Sequence, residues 1–367
     1  MNAQALQGRI LTPQGWVEGR IAFGERIGAI EAGSPAGPRR HILPGFVDLH
    51  VHGASNVDIM AGGSAGATVA CTHARHGTTA LLGTTMTARL ASIERALAGL
   101  ARVIAVRPAG GARMLGVHLE GPFISAQRLG AQPPEVLLAT LEKVRALHAI
   151  APIRVLTLAP ELTGHLALIP RLAELGIRVQ VGHSSGTYED GVAALQAGAA
   201  GFTHLFNGMS GLKHREPGMV GAALAHAEYA ELIPDLEHVQ PGAMLAALRA
   251  IPRLYCVSDA TAATGMPDGE YALGTQRVFK CMGCVRLASG SLAGSALTMD
   301  QALRNLVSVG LDLADASHRV SRNPADYLGE PERGRLAPGA WADIVVLDEQ
   351  LRVEAVFVEG EPVDLSP

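Results

Sequence analysis

The chain predicts a mixed α/β protein: a (β/α)8 barrel carrying a small β-sandwich domain made from its N- and C-terminal segments. Three observations predict it. Short apolar runs alternate with longer helix-like segments through the middle, the runs number eight, and both ends read as strands and turns.

At the N-terminal end, residues 6–11, 15–17, 20–23 and 27–31 read as short strands separated by turn residues. At the other end, 342–348 and 353–360 are period-two or wholly apolar runs. Strands at both ends need partners, so residues 1–43 and 335–367 are expected to pair into one β domain, with 44–334 as the barrel. Within the middle, strand-like runs fall at 46–49, 78–84, 114–119, 155–158, 179–182, 201–205, 230–233 and 254–258. Helix-like segments lie between many of them, at 90–107, 134–150 and 166–175 among others. A doubly wound sheet is the alternative arrangement of the same units. No fixed-period repeat or low-complexity segment interrupts the pattern.

Composition narrows the function classes. Hydrophobic residues make up 48% of 367 and charged residues 17%, enough for a large core and against disorder. Aromatics are only 4%, which suits an enzyme packed with aliphatic layers better than an aromatic binding surface. A net charge of −4 without a long basic run argues against a nucleic-acid partner. No apolar span of about 18 residues suggests a membrane helix. The start, Met1-Asn2-Ala3-Gln4, lacks the basic and apolar regions of a secretion leader, so a cytoplasmic location is expected. Four cysteines are too few for a disulfide framework. Cys281 and Cys284 read as incidental loop thiols rather than a redox pair or half a zinc knuckle, because no second pair with finger spacing follows.

The chemistry concentrates at the ends of the runs. In Pro44-Gly45-Phe46-Val47-Asp48-Leu49-His50-Val51-His52-Gly53, two imidazoles lie two residues apart. Side chains at i and i+2 of a strand share a face, so His50 and His52 can reach one metal ion. His118 and Glu120 end the third run, His183 the fifth and His204 the sixth; His238 follows the seventh and Asp259 ends the eighth. Each alone has a plain structural explanation, as a core histidine or a turn carboxylate. Together they fall at the C-terminal ends of barrel strands, where catalytic groups gather. Imidazole with carboxylate suits a divalent ion such as zinc or iron, and three ligands with an open position define a catalytic site. An aspartate beside such an ion is placed to take a proton from water. No nucleophile elbow or Walker loop stands out, and Gly-rich 61–66 lacks the context of a dinucleotide fingerprint.

These motifs resemble those of the N-acetylglucosamine-6-phosphate deacetylase family of the amidohydrolase superfamily. The resemblance runs along nearly the whole chain. It rests on 44–53, His118-Leu119-Glu120-Gly121-Pro122-Phe123, Gly182-His183-Ser184, Thr203-His204-Leu205-Phe206-Asn207-Gly208-Met209, Arg215-Glu216-Pro217-Gly218, Val257-Ser258-Asp259-Ala260-Thr261, Leu292-Ala293-Gly294-Ser295 and the closing 334–343. It implies Glu120, His183 and His204 as the main metal ligands, with His50 and His52 as the extra ligands of members that hold a second metal. One or two divalent ions, zinc or iron, are thus implied per subunit. It also implies Asp259 as general base and acid, and His238 as the residue that polarises the carbonyl or contacts the sugar. Ala131, Gln132, Asn207, Gly208, Arg215, Leu292, Ala293 and Gly294 match substrate-contacting positions. The implied partner is a small amino-sugar phosphate. In the family the arginine helps hold the 6-phosphate and can come from the other subunit of a homodimer.

Two departures bear on the substrate. The family's Gly-Ala-His-Asn-Pro is Gly130-Ala131-Gln132-Pro133 here, so an amide replaces an imidazole. Before His238 the family glycine gives way to Leu236, and Glu237 adds an anion that disfavours phosphate if it points inward. The expected reaction is hydrolysis of the acetamide of N-acetylglucosamine 6-phosphate. The alternatives are another N-acyl amino sugar such as the galactosamine epimer, an N-acyl amino acid, or a catalytically silent metal-binding homologue.

Overall fold

A computed structural model of the chain describes residues 4–34 and 39–366. The opening residues 1–3, used above against a secretion leader, lie outside the described residues. Eight strands follow in the expected order: Phe46–Val51, Thr78–Thr85, Arg113–Glu120, Ile153–Leu158, Arg178–Val181, Gly201–Phe202, Glu231–Leu232 and Tyr255–Cys256. The first six form one parallel sheet and the last two pair with each other. Backbone hydrogen bonds close the ring. Leu205 N–H donates to the Glu231 carbonyl at 2.8 Å, and Asp259 N–H donates to the His50 carbonyl at 3.0 Å. The result is a (β/α)8 barrel rather than a doubly wound sheet. Strands covered on both faces read as near-continuous apolar runs, and every residue of the first two barrel strands is buried.

The sixth, seventh and eighth strands are shorter than their apolar runs. The backbone turns left-handed at His204 (φ 27°) and Asp259 (φ 52°), as it does at His183 (φ 45°) past the fifth strand. A residue in that region cannot continue a ladder, so pairing stops where the chemistry begins. The helix expected over 134–150 starts only at Leu141. The Thr140 side chain caps the helix there by accepting from Lys143 N–H at 3.2 Å. Helix Leu90–Ala105 buries Ile93, Ala96, Leu97 and Leu100, an i, i+3, i+4, i+7 stripe facing the core.

Both chain ends enter one seven-stranded sheet. Gln4–Thr12, Gly15–Phe23, Ile27–Ala32 and His41–Pro44 come from one end; Ile344–Leu347, Val353–Val358 and Glu361–Pro362 come from the other. His41–Pro44 sits between them, parallel to Gln4–Thr12 and antiparallel to Ile344–Leu347. Phe23 and Phe357 lie four strands apart in this order, about 19 Å in a flat sheet. Their ring centroids are 5.1 Å apart, so the sheet curls onto itself. Ile10, Ile21, Ile42 and Ile344 fill this second core.

Buried ion pairs tie the sheet to the barrel. The Glu359 carboxylate accepts from Arg107 (3.2 Å), Arg113 (2.7 and 2.9 Å) and Arg333 (2.6 Å). Arg333 also binds the buried Asp343 carboxylate and lies against Trp341. A four-stranded antiparallel insert, spanning Gly269–Leu273 to Leu292–Ser295, follows the eighth barrel strand. The sequence reading did not separate it. Cys281 and Cys284 oppose each other there across a two-residue hairpin turn, and both are free thiols.

Candidate functional site

The left-handed strand ends aim polar side chains at one cavity, lined by His52, Glu120, His183, His204, His238 and Asp259. Two donor groups meet there. In the first, His183 Nε2 lies 3.1 Å and His204 Nε2 2.9 Å from the same oxygen, Glu120 Oε1, and the two nitrogens are 3.1 Å apart. A tetrahedral ion with ligands at about 2.0–2.1 Å spaces its donors by about 3.3 Å, so this triangle fits one. His183 Nδ1–H donates to the Arg128 carbonyl at 2.7 Å, which turns the Nε2 lone pair toward Glu120. In the second group, His50 Nε2 and His52 Nε2 are 3.2 Å apart, with Asp259 Oδ1 at 3.5 and 3.3 Å. Here Glu231 Oε2 accepts from His50 Nδ1 at 3.0 Å and fixes its tautomer. Glu120 joins the groups, its Oε2 lying 3.2 Å from His52.

Burial works against charge on these groups, but their mutual attraction outweighs it. Hydrogen bonds to Asp259 and Glu120 raise His52 to about 9. The fields of His50 and His52 hold Asp259 down at about 2, so it is a carboxylate at neutral pH. Imidazole nitrogens converging on carboxylate oxygens at these distances need a positive charge between them, whether protons or a metal ion, and both groups have the donor chemistry to hold a divalent metal. His118 belongs to neither role. Its nitrogens bond the Leu49 carbonyl (3.0 Å) and Thr157 Oγ1 (2.8 Å), and burial lowers it to about 4.

His238 faces the cavity from the loop after the seventh strand. Asp235 Oδ2 accepts from its Nδ1 at 2.6 Å, and although burial opposes charge, this bond raises its pKa. Ala131, Gln132, Asn207 and Gly208 line the cavity, as do Leu292 and Gly294. Ala293 points the other way and is fully buried, as strand alternation requires. Arg215 is exposed and lines a neighbouring cavity with Arg128 and Tyr188. Glu237 is exposed and lies 3.7 Å from Arg286, lining a different cavity from the one that His183 and His204 face.

Sequence reasoning missed Glu231, Asp235, Asp48 and Glu161. Glu231 was hidden inside an apolar run, where a lone carboxylate is itself a signal because it is costly to bury unpaired. Asp48 accepts from Ser258 and from His50 N–H, bracing the first and eighth strands beneath the site. Glu161 accepts from Ser184 and Ser185 and braces the turn after His183.

Acid–histidine groups at the strand ends of a (β/α)8 barrel, arranged to hold divalent cations, define a class of barrel hydrolases. Residues 41–363 match the model of the Amidohydrolase family. The chain is 41% identical to N-acetylgalactosamine-6-phosphate deacetylase of Escherichia coli O157:H7, covering 96% of this chain and 97% of that protein. It is 37% identical to N-acetylglucosamine-6-phosphate deacetylase of Lysinibacillus sphaericus, covering 94% and 91%. It is similar in structure to N-acetyl-D-glucosamine-6-phosphate deacetylase from Mycobacterium smegmatis, solved as a variant in complex with N-acetyl-D-glucosamine-6-phosphate. That likeness has a TM-score of 0.92 at 34% identity and covers 99% of this chain and all of the other. This chain belongs to the amidohydrolase family. It is an enzyme that hydrolyses amide C–N bonds. Among the described residues, no helix is long and apolar enough to cross a membrane.

Proposed function

We propose that this chain removes the acetyl group of N-acetylglucosamine 6-phosphate, giving glucosamine 6-phosphate and acetate. The observation that carries the reading is the convergence of Glu120, His183 and His204 with Asp259 and His238 on one cavity. Glu120, His183 and His204 would hold the main cation, with His50, His52 and Asp259 as a second position. A zinc or iron ion bound there supplies Lewis acidity for a carbonyl and makes water easier to deprotonate. Asp259, ionised at neutral pH, takes a proton from the attacking water. His238, held by the Asp235 carboxylate at its Nδ1, points toward the cavity and donates to the carbonyl oxygen as negative charge develops. Asp259 then passes its proton to the departing nitrogen as the C–N bond breaks. Asn207, Gly208, Leu292 and Gly294 shape the sugar's surroundings. The division into a 44–334 barrel and a β domain from 1–43 and 335–367 belongs to the same proposal.

The galactosamine epimer is the second reading, favoured by the 41% identity to a deacetylase of that substrate class. Acetate release from N-acetylglucosamine 6-phosphate, N-acetylgalactosamine 6-phosphate and their unphosphorylated forms, with metal content by mass spectrometry, tests both. A preparation that holds metal but releases acetate from none of the four overturns the proposal.

Arg215 bears on the phosphate. Its exposed position outside the cavity of its own chain accords with delivery across a homodimer to the partner's substrate. A guanidinium–phosphate bond contributes about 1.5–3 kcal/mol, or roughly 10- to 100-fold in binding. Arg215→Ala is therefore expected to raise KM by that factor for the phosphorylated sugar and by less than threefold for the unphosphorylated one. Equal changes for both would refute the contact, and sedimentation of the wild type reports the dimer.

A further inference from the structure

We infer that Gln132 is a positioning residue for the Glu120 carboxylate and makes the two cation positions unequal. The inference rests on the reading that Glu120, His183 and His204 hold a cation. Gln132 is 5% exposed and occupies the point where the resemblance implies a substrate-contacting histidine. Its amide is engaged at both ends. Thr87 N–H donates to Gln132 Oε1 at 2.7 Å, and Gln132 Nε2 donates to Glu120 Oε2 at 2.6 Å. The Thr87 donor settles the amide's orientation, because flipping it would face two N–H groups together and two oxygens together. Gly121 makes this approach possible: a Cβ there would lie 2.0 Å from Thr87 Oγ1.

The consequence follows from counting acceptors. Glu120 has two oxygens and both are committed. Oε1 serves His183 and His204, while Oε2 accepts from Gln132 and faces His50 (3.5 Å) and His52 (3.2 Å). A carboxylate pinned at one oxygen presents the other in a fixed direction, which prebuilds the Glu120–His183–His204 position. A cation at His50–His52–Asp259 would face Oε2, whose lone pairs the Gln132 N–H already draws on. The first position is therefore tight and the second weaker, and the difference comes from an amide that is not a ligand.

The test uses the full chain, stripped with a chelator and titrated with zinc against a chromophoric competitor. Wild-type protein is expected to take up zinc in two steps whose constants differ at least tenfold. In Gln132→Met, which keeps the length but removes the donor, the first step should weaken by about 10- to 100-fold and the ratio shrink by at least tenfold. A wild type that retains one zinc is the extreme of the same inequality, with the first-step loss as the readout. If Gln132→Met does not fold, Gln132→Glu keeps the acceptor for Thr87 N–H without the donor, and the ratio should collapse there too. Wild type that binds zinc, with variants whose constants stay within threefold, overturns the inference alone. Wild type that binds no zinc overturns the cation reading beneath it.

Discussion

Asp259→Asn lowers kcat by about 10³-fold while metal at Glu120, His183 and His204 is retained. The size follows from the role, since general acid–base groups contribute roughly 10²- to 10⁴-fold. Asparagine matches aspartate in volume and keeps an acceptor oxygen, so cavity shape is preserved. What it lacks is an oxygen that can take and return a proton. Asp259 belongs to the His50–His52 group and not to the Glu120 group, so the first donor triangle survives the substitution. Steady-state acetate release measures kcat, and mass spectrometry measures metal per subunit. A variant that keeps most of its kcat would exclude the proton-shuttle role, whereas loss of all metal would mean that Asp259 acts chiefly as a ligand.

Arg333→Met destabilises the fold by about 3–5 kcal/mol, the usual cost of removing one partner of a buried ion pair. Arg333 is 4% exposed and supplies the cation shared by Asp343 and Glu359. Without it, two buried carboxylates face each other where the curled sheet meets the barrel. Thermal unfolding should begin about 6–20 °C lower, given roughly 2–4 °C per kcal/mol in domains of 150–250 residues. Adding Asp343→Leu should recover part of the loss, because an apolar pair carries no unpaired charge. An unchanged Tm for the single variant would mean that the clamp contributes nothing. The same clamp sets an acid limit. Burial would raise Glu359, but its hydrogen bonds to Arg113 and Arg333 outweigh that and hold it at about 2. Because the folded value is depressed, the stabilisation is present above the unfolded value of about 4.3 and is lost as pH falls toward 2. Wild type should therefore lose more Tm than Arg333→Met between pH 5 and pH 3, measured by circular dichroism.

Much of the barrel was legible because its strands lie where the apolar runs are. A parallel strand covered on both faces must be apolar along its length, so 46–49 and 78–84 announced themselves. Shorter strands were misjudged at their ends because left-handed turns at His204 and Asp259 leave no mark in hydrophobicity. The helix start at Leu141 was missed because the Thr140 cap that sets it leaves no mark in the apolar pattern. Residue types able to ligate or carry a proton were legible at the ends of the runs. Their supports were not, because Glu231, Asp235 and Gln132 act through atoms they touch in space.

By itself the sequence determined the order of the strands, the strand-forming character of both ends, and the residue types available for chemistry. These are local properties, written in side-chain period and in which groups can ligate or carry a proton. Only the tertiary structure decided that Glu120 and His204, 84 residues apart, share one point, that Gln132 serves a carboxylate, and that Ala293 and Arg215 face away from the cavity. The reason is physical: hydrogen bonds and coordination depend on distances of about 3 Å, and chain separation does not fix such distances until the barrel closes.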